Sequence, residues 1–210
     1  MADDYLGKKM EEYRARTAVP PRPVATLDRL LLKNRSHRGY DARFVVREDQ
    51  LRRIIEVNTR IPSARNRQVL RFRPVLAAEA GKVLACIRLG GALPELHLPL
   101  PGTEPNAFII VCATVAEDRY VDIDLGISAQ SMLLRATEMG LNGLCIGAFD
   151  RTKIKEAFAL ELEPLLVLAI GRGIEKIELT EIGAADSHAY YRREGTHYVP
   201  KLRLEELLLR

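Results

Sequence analysis

Arg35-Ser36-His37-Arg38 sets two guanidinium groups and a hydroxyl close together. Such a turn suits a phosphate dianion better than a lone lysine, because the planar guanidinium fork matches phosphate oxygens two at a time. Two distant segments answer it. Pro62-Ser63-Ala64-Arg65-Asn66-Arg67-Gln68 offers hydroxyl and amide groups of the kind that read the polar edge of a planar heterocycle. Near the C-terminus, Lys201-Leu202-Arg203 adds two more cations. A fourth stretch, Ile146-Gly147-Ala148-Phe149-Asp150, supplies an apolar side chain for a ring face and a glycine that leaves room beside its own amide. Together they describe a pocket for an anion joined to a ring.

Each group also has a plainer reading. Arg35 and Arg38 follow an apolar helix, and basic side chains near a last turn complement the helix dipole without binding anything. Lys201 and Arg203 fit a basic tail, Asn66 a turn-forming amide, and Gly147 a tight turn. The dipole argument predicts neither the Pro-Ser-Ala-x-Asn-x-Gln run nor the terminal Lys-x-Arg, so their joint presence favours the pocket. No Ser-His-Asp or Cys-His arrangement, paired-carboxylate motif or phosphate-binding Gly-Lys loop competes. The expectation is no catalytic side chain and a cofactor that carries the chemistry.

The elements that must position these groups follow from periodicity. Leu27, Leu30 and Leu31 recur at helical spacing behind Thr26, predicting a short capped helix that delivers Arg35, Ser36 and Arg38 at its end. Leu51, Ile54 and Ile55, with Val57 and Ile61, predict a second helix, which Pro62 should stop because proline disfavours helical geometry in the residue before it. Residues 72–78 read as a strand, 79–89 as a helix, and the apolar run 107–115 as a buried central strand. Residues 124–140 are apolar around much of the helical circumference, which predicts burial on both faces, as at a subunit interface. Residues 141–146 form a strand running into Gly147, residues 151–160 a helix, and 165–170 a central strand ended by Gly171. The glycine- and proline-rich stretch from about 90 to 106 is expected to be a lid, since so long a structureless segment is seldom a simple connector. The order is mixed rather than a regular strand–helix alternation, so the fold class is α+β. No suitable helix follows Gly171-Arg172-Gly173, which removes the usual dinucleotide fingerprint.

At 210 residues, with 47% hydrophobic and 29% charged, the composition is that of an ordinary globular protein with a substantial core. Cys86, Cys112 and Cys145 are odd in number and set among apolar neighbours, and His37, His97, His188 and His197 lack ligand spacing, so no disulfide framework and no metal is expected. From Arg14 to Arg73 there are 16 Lys/Arg against five Asp/Glu. That local excess suits anionic small molecules; nucleic acid is not expected, because no zinc-finger spacing, aromatic RNP-like strand or basic heptad accompanies it. No basic segment leads into an apolar run at the N-terminus and no stretch approaches the ~18 apolar residues of a membrane span. A cytoplasmic protein without membrane contact is the expectation.

In order and spacing these segments resemble the flavin-binding signature of the nitroreductase family, over residues 26–206. The resemblance implies a nitroreductase-like central mixed or antiparallel sheet flanked by helices, in an intertwined homodimer. It implies FMN as cofactor, NADH or NADPH as co-substrate, and ping-pong reduction of a small electron-poor acceptor such as a nitroaromatic or a quinone. Residues 1–25, ending in Val19-Pro20-Pro21-Arg22-Pro23, would be an extra arm, residues 26–210 the FMN-binding domain, and 90–106 its lid. The implied phosphate set is Arg35, Ser36, Lys201 and Arg203, with Arg38 at the pyrimidine edge of the ring. Ser63, Asn66 and Gln68 would come from the other subunit, with Pro62 and Ala64 shaping their loop, while Ile146 packs on the ring face and the Gly147 amide approaches N5. The chain departs from the family pattern at Asn34, where many relatives carry arginine, and at Val69-Leu70, which replaces a Pro-Trp pair. Two other readings stand beside this one: another chemistry on the same fold, such as a flavin-fragmenting or reductive dehalogenase relative, and a non-catalytic FMN-binding protein.

Overall fold

The apolar run Ala107–Ala113 is buried at every position because its alternate side chains enter two different cores. Ala107, Ile109 and Val111 join Leu51, Ile54, Met132, Leu133 and Leu168 on one face. Phe108, Ile110 and Cys112 join Val75, Val83, Ile146, Ile154 and Val167 on the other. The computed structural model describes residues 4, 7–10, 26–90 and 98–209. From residue 26 its elements run α1 (Leu27–Lys33), α2 (Glu48–Ile55), β1 (Leu70–Val75), α3 (Ala77–Leu84), β2 (Ala107–Ala113), α4 (Arg119–Glu138), β3 (Asn142–Ile146), α5 (Arg151–Ala157), β4 (Glu163–Gly171), β5 (Lys176–Ile182), β6 (Tyr191–Arg193), β7 (Thr196–Leu202) and α6 (Leu204–Leu207).

Four strands form one sheet in the order β1-β2-β4-β3, antiparallel throughout. α2 and α4 cover the face of the first core, α3 and α5 that of the second. The class is α+β, as the mixed order predicts. A second sheet of order β5-β7-β6 was not foreseen; in it β5 and β7 run parallel and β6 and β7 antiparallel. Its strands mix charged and polar residues with apolar ones, as in Lys176, Glu178 and Glu181 of β5 and Arg192 and Arg193 of β6, and such short half-polar runs leave little hydrophobic signal.

Other boundaries shift by a few residues. β1 begins and ends before the predicted 72–78, and α3 occupies Ala77–Leu84 rather than 79–89. α4 starts at Arg119, five residues early, because the Asp118 carboxylate accepts the amides of Tyr120 and Val121, each at 2.8 Å. Within one chain α4 is covered on one side only: Asp124, Ser128, Met132 and Ala136 are buried, whereas Tyr120 and Ile123 remain 48% and 46% exposed. Of the predicted lid, residues 91–97 lie outside the described residues, as does the Pro-rich arm. Residues 98–106 are irregular, as predicted, and tied down: the Thr103 carbonyl accepts the Tyr40 amide at 2.9 Å and the Asn106 amide donates to the Phe44 carbonyl at 2.8 Å. Among the described residues no helix is long and apolar enough to cross a membrane.

Candidate functional site

α1 forms as predicted, with the Thr26 hydroxyl accepting the Arg29 amide at its start and the Asn34 amide donating to the Leu30 carbonyl at its end. The chain then runs alongside β3. Ser36 makes a parallel bridge to Gly143, and the His37 amide donates to the Gly143 carbonyl at 3.2 Å. Gly143 permits the packing behind this bridge, since a Cβ there would lie 2.4 Å from Leu133 and 2.8 Å from the Ala169 carbonyl.

This route places Arg35, Ser36 and Arg38 on a cavity of about 230 Å³ that is also lined by Asn34, Tyr190, His197, Val199 and Lys201. Lys201 thus joins its distant partners. One Arg35 nitrogen donates to the Leu31 carbonyl at 2.6 Å, the helix-end role of the plainer reading, but Arg35 Nε is buried with no protein partner. Burial depresses the Arg35 pKa below its ordinary value. A buried guanidinium nitrogen without a partner is costly, and an anion oxygen would satisfy it. Arg203 falls outside the cavity lining. β7 ends at Leu202, and the Arg203 guanidinium turns to Glu206, 3.5 Å away.

Glu175 fixes the loop. One of its carboxylate oxygens accepts the amides of Arg38 and Gly39, the latter at 3.1 Å, and the other pairs with Arg192 of β6. The Arg38 guanidinium stands 5.3 Å from the Tyr190 ring centroid, a cation–π distance. Neither Glu175, Arg192, Tyr190 nor His197 was singled out from sequence. The signal for His197 was present: His197, Val199 and Lys201 alternate along β7 and all line the cavity, as period-two side chains on one face must.

Ser63, Ala64, Asn66 and Gln68 follow the helical stretch as predicted: a 3-10 turn extends α2 to Thr59 before Pro62. The loop is anchored to α4, with the Ala64 amide donating to the buried Asp124 carboxylate at 2.7 Å and Arg67 3.5 Å from Asp118. Inside it, Ser63 Oγ accepts the Gln68 amide at 3.1 Å and the Gln68 side chain donates to Asn66 Oδ1 at 3.0 Å. Arg65, Asn66 and Gln68 have φ of 53°, 55° and 49°. Asparagine tolerates this region, but for arginine and glutamine it costs roughly 1–2 kcal/mol each, and such strain collects where a loop presents groups to a ligand.

Pro62, Ser63 and Gln68 line a separate, larger cavity of about 760 Å³, together with Asn58, Val69, Leu70, Phe72, Asp124 and Ser128. The two predicted halves therefore do not share a cavity within one chain. Val69 and Leu70 give this cavity aliphatic walls beside the aromatic Phe72. Ile146 is buried at the end of β3, and the chain turns at Gly147 toward Asp150, whose carboxylate caps α5 by accepting the Lys153 amide at 3.0 Å. A Cβ on Gly147 would meet nothing within 4 Å. Packing within the chain does not require glycine there, which leaves its exposed backbone open to a ligand.

Comparison with known proteins agrees with this architecture. The model of the Nitroreductase family matches residues 96–172, which hold β2, α4, β3, α5 and β4 but neither cationic segment. A protein of Methanocaldococcus jannaschii assigned by name to the nitroreductases is 40% identical over 57 residues, 27% of this chain and 29% of that protein. That match thus spans less than a third of the relative's length. A nitroreductase family protein of Streptococcus pneumoniae superposes with a TM-score of 0.61 at 18% identity, covering 73% of this chain and 93% of that one. An FMN-dependent nitroreductase of Clostridium difficile gives 0.58 at 20% identity, covering 70% and 87%. The chain thus shares the fold of these nitroreductase-family structures, and the family model spans its central strands and α4.

Proposed function

We propose that the chain is an FMN-dependent oxidoreductase that uses NAD(P)H to reduce small electron-poor acceptors such as nitroaromatics or quinones. The observation that carries this reading is the cavity where Arg35, Ser36, Arg38 and Lys201 converge around a guanidinium nitrogen without a partner. A structural neighbour from Clostridium difficile is named FMN-dependent, and one phosphate fits a cavity of about 230 Å³. When bound, FMN supplies the redox chemistry, accepting a hydride from the nicotinamide and passing electrons to the second substrate. The residues would bind and orient it. Arg35, Ser36 and Lys201 hold the phosphate; Arg38, held in place by Glu175 and Tyr190, sets a fixed positive charge beside the pyrimidine edge, where it favours electron uptake. Gly147 leaves its amide accessible to the ring, and Ile146 shields one face from water.

The reading also takes each site as shared between two copies, with Ser63, Asn66 and Gln68 supplied in trans by a homodimer. Two observations support this. Ser63 and Gln68 line one cavity of the chain, and Arg35, Ser36, Arg38 and Lys201 line another. α1 buries none of its residues, and Leu27, Leu32, Leu204 and Leu207 are each more than 60% exposed, an apolar surface that a second copy would cover. On the same reading, residues 26–210 form the flavin domain, 1–25 an arm and 90–106 a lid.

The purified protein should be yellow, with FMN recovered by heat release and chromatography, and NADH or NADPH should bleach it in anaerobic stopped-flow mixing. Recovery of FAD, or no flavin after reconstitution, overturns the proposal; FMN that neither nucleotide bleaches leaves a binding protein. Mixing Arg38→Ala with Asn66→Ala protein under subunit exchange should raise activity above either parent, since one site of each heterodimer then carries neither lesion. No rise despite demonstrated exchange excludes the shared site.

A further inference from the structure

We propose that His197 is a further ligand of the anion taken up by the cationic cavity, and that it binds as an imidazolium formed on uptake, so that a phosphate dianion entering the site draws a proton from solvent. This rests on the phosphate reading of the cavity.

His197 lines that cavity and is only 2% exposed, and its Nδ1 is buried without a hydrogen-bond partner. Such a ring is placed at a cost unless something completes it. Its surroundings define when it can hold charge. From the loop after α1, Arg35 and Arg38 face the same cavity, and Lys201 does so from β7 itself. On β6, Arg192 is its register partner. The Tyr190 and His197 rings pack edge to face with centroids 5.2 Å apart, and Ile177 of β5 stands opposite His197 in register. Among the described residues Glu175 is the carboxylate with an electrostatic effect on the His197 ring, and that carboxylate is already engaged by Arg192 and by the amides of Arg38 and Gly39.

Before a ligand arrives, burial first and then Arg192 and Arg38 push the His197 pKa below its ordinary value, with Glu175 opposing. The imidazole is then neutral and offers one N–H; as imidazolium it offers two. A phosphate monoester carries roughly −1.5 to −2 charge near neutral pH. Placed among these cations, it offsets their field at the ring and favours protonation. A fourth fixed cation here would repel Arg35, Arg38 and Lys201 whenever the site is empty, whereas histidine takes up charge only with the ligand. The one covalent event is an N–H bond formed with a solvent proton. The site cations would lower the phosphate's own pKa and release protons, so net uptake carries the opposite sign and is attributable to the histidine.

The test is calorimetry on the full-length apoprotein near pH 7 in two buffers of different ionisation enthalpy, with FMN and riboflavin as ligands. FMN should bind with uptake of up to about one proton and riboflavin with none. His197→Gln should abolish the uptake and weaken FMN on the order of tenfold while leaving riboflavin affinity unchanged. In parallel, the imidazole resonances of the wild-type protein, four in all, are titrated by NMR with and without inorganic phosphate. The signal missing from His197→Gln, or from His197→Asn if the glutamine variant does not fold, should move to higher pKa with phosphate. Proton uptake that survives the substitution, or a His197 titration indifferent to phosphate, overturns the inference. A phosphate-dependent shift in a protein that binds no flavin would uphold it while sinking the FMN reading.

Discussion

In the four-stranded sheet every residue of β2 is buried, whereas in the three-stranded sheet β5 has only exposed and half-covered positions and β7 fully buries only Thr196 and His197. β2 has a core on each face, and no charged side chain is found along it. The second turns one row of β7 toward a cavity rather than toward a core, and that row carries His197 and Lys201. The contrast separates scaffold from site. Hydrophobic burial fixes the large sheet, and the small sheet exists on that frame to bring charges from residues 35–38, 175, 192 and 201 to one place. The two sheets meet through the loop after α1, bridged to β3 on one side and held by Glu175 on the other.

The largest effect should come from the scaffold. Phe108→Ala removes a fully buried ring from β2 and should cost about 3–5 kcal/mol in urea denaturation, while Val199→Ala in β7 should cost less than about 1.5 kcal/mol. Equal losses would erase the distinction between the sheets. Next in size is Glu175→Ala, which leaves Arg192 partly buried without its carboxylate and frees the Arg38 and Gly39 amides. Because Arg192 is 28% exposed, the loss should be smaller than for a fully buried pair, about 2–3 kcal/mol. It should be accompanied by weaker FMN binding; a stability loss with flavin affinity intact would show that Glu175 does not position Arg38.

Lys201→Ala should leave stability within about 0.5 kcal/mol yet weaken FMN about tenfold or more, the worth of a charge-assisted bond to phosphate. Arg203→Ala, whose guanidinium is turned to Glu206, should cost less in the same equilibrium titration. The reverse order would mean that the terminal segment rearranges on binding.

The smallest effect is the pH dependence of apoprotein stability. Burial depresses the pKa of His37, as it does that of His197. The unfolded chain therefore binds protons more readily, and stability is complete above the ordinary histidine pKa of about 6.5 and declines as pH falls from there toward the folded-state values. The melting temperature should drop between pH 7.5 and 5, before carboxylates such as Asp41, Asp49 and Glu79, held low by arginine partners, begin to titrate. His37→Asn should flatten that slope; an unchanged slope would mean that His37 is not the group responsible.

Sequence alone determined the elements with strong periodicity or strong punctuation. The unbroken apolar run of β2, the Thr26 cap and the Gly171 strand end were all legible, because each is a local steric or hydrophobic signal, whereas the helix expected to run up to Pro62 ends at Ile55. The residue types of the proposed anion site were legible too, since Arg35, Ser36, Arg38 and Lys201 announce their chemistry wherever they sit. Tertiary structure decided the rest. It put Lys201 beside Arg35 across most of the chain, turned Arg203 away one residue after its strand ended, and made a buried ligand candidate of His197, which sequence offered only as a histidine without metal spacing. It also gave Glu175 and Arg192 their partners through a parallel pairing of β5 with β7 that local pattern does not encode. Burial and long-range register depend on which segments meet, and that is settled only when the cores on both faces of the large sheet close.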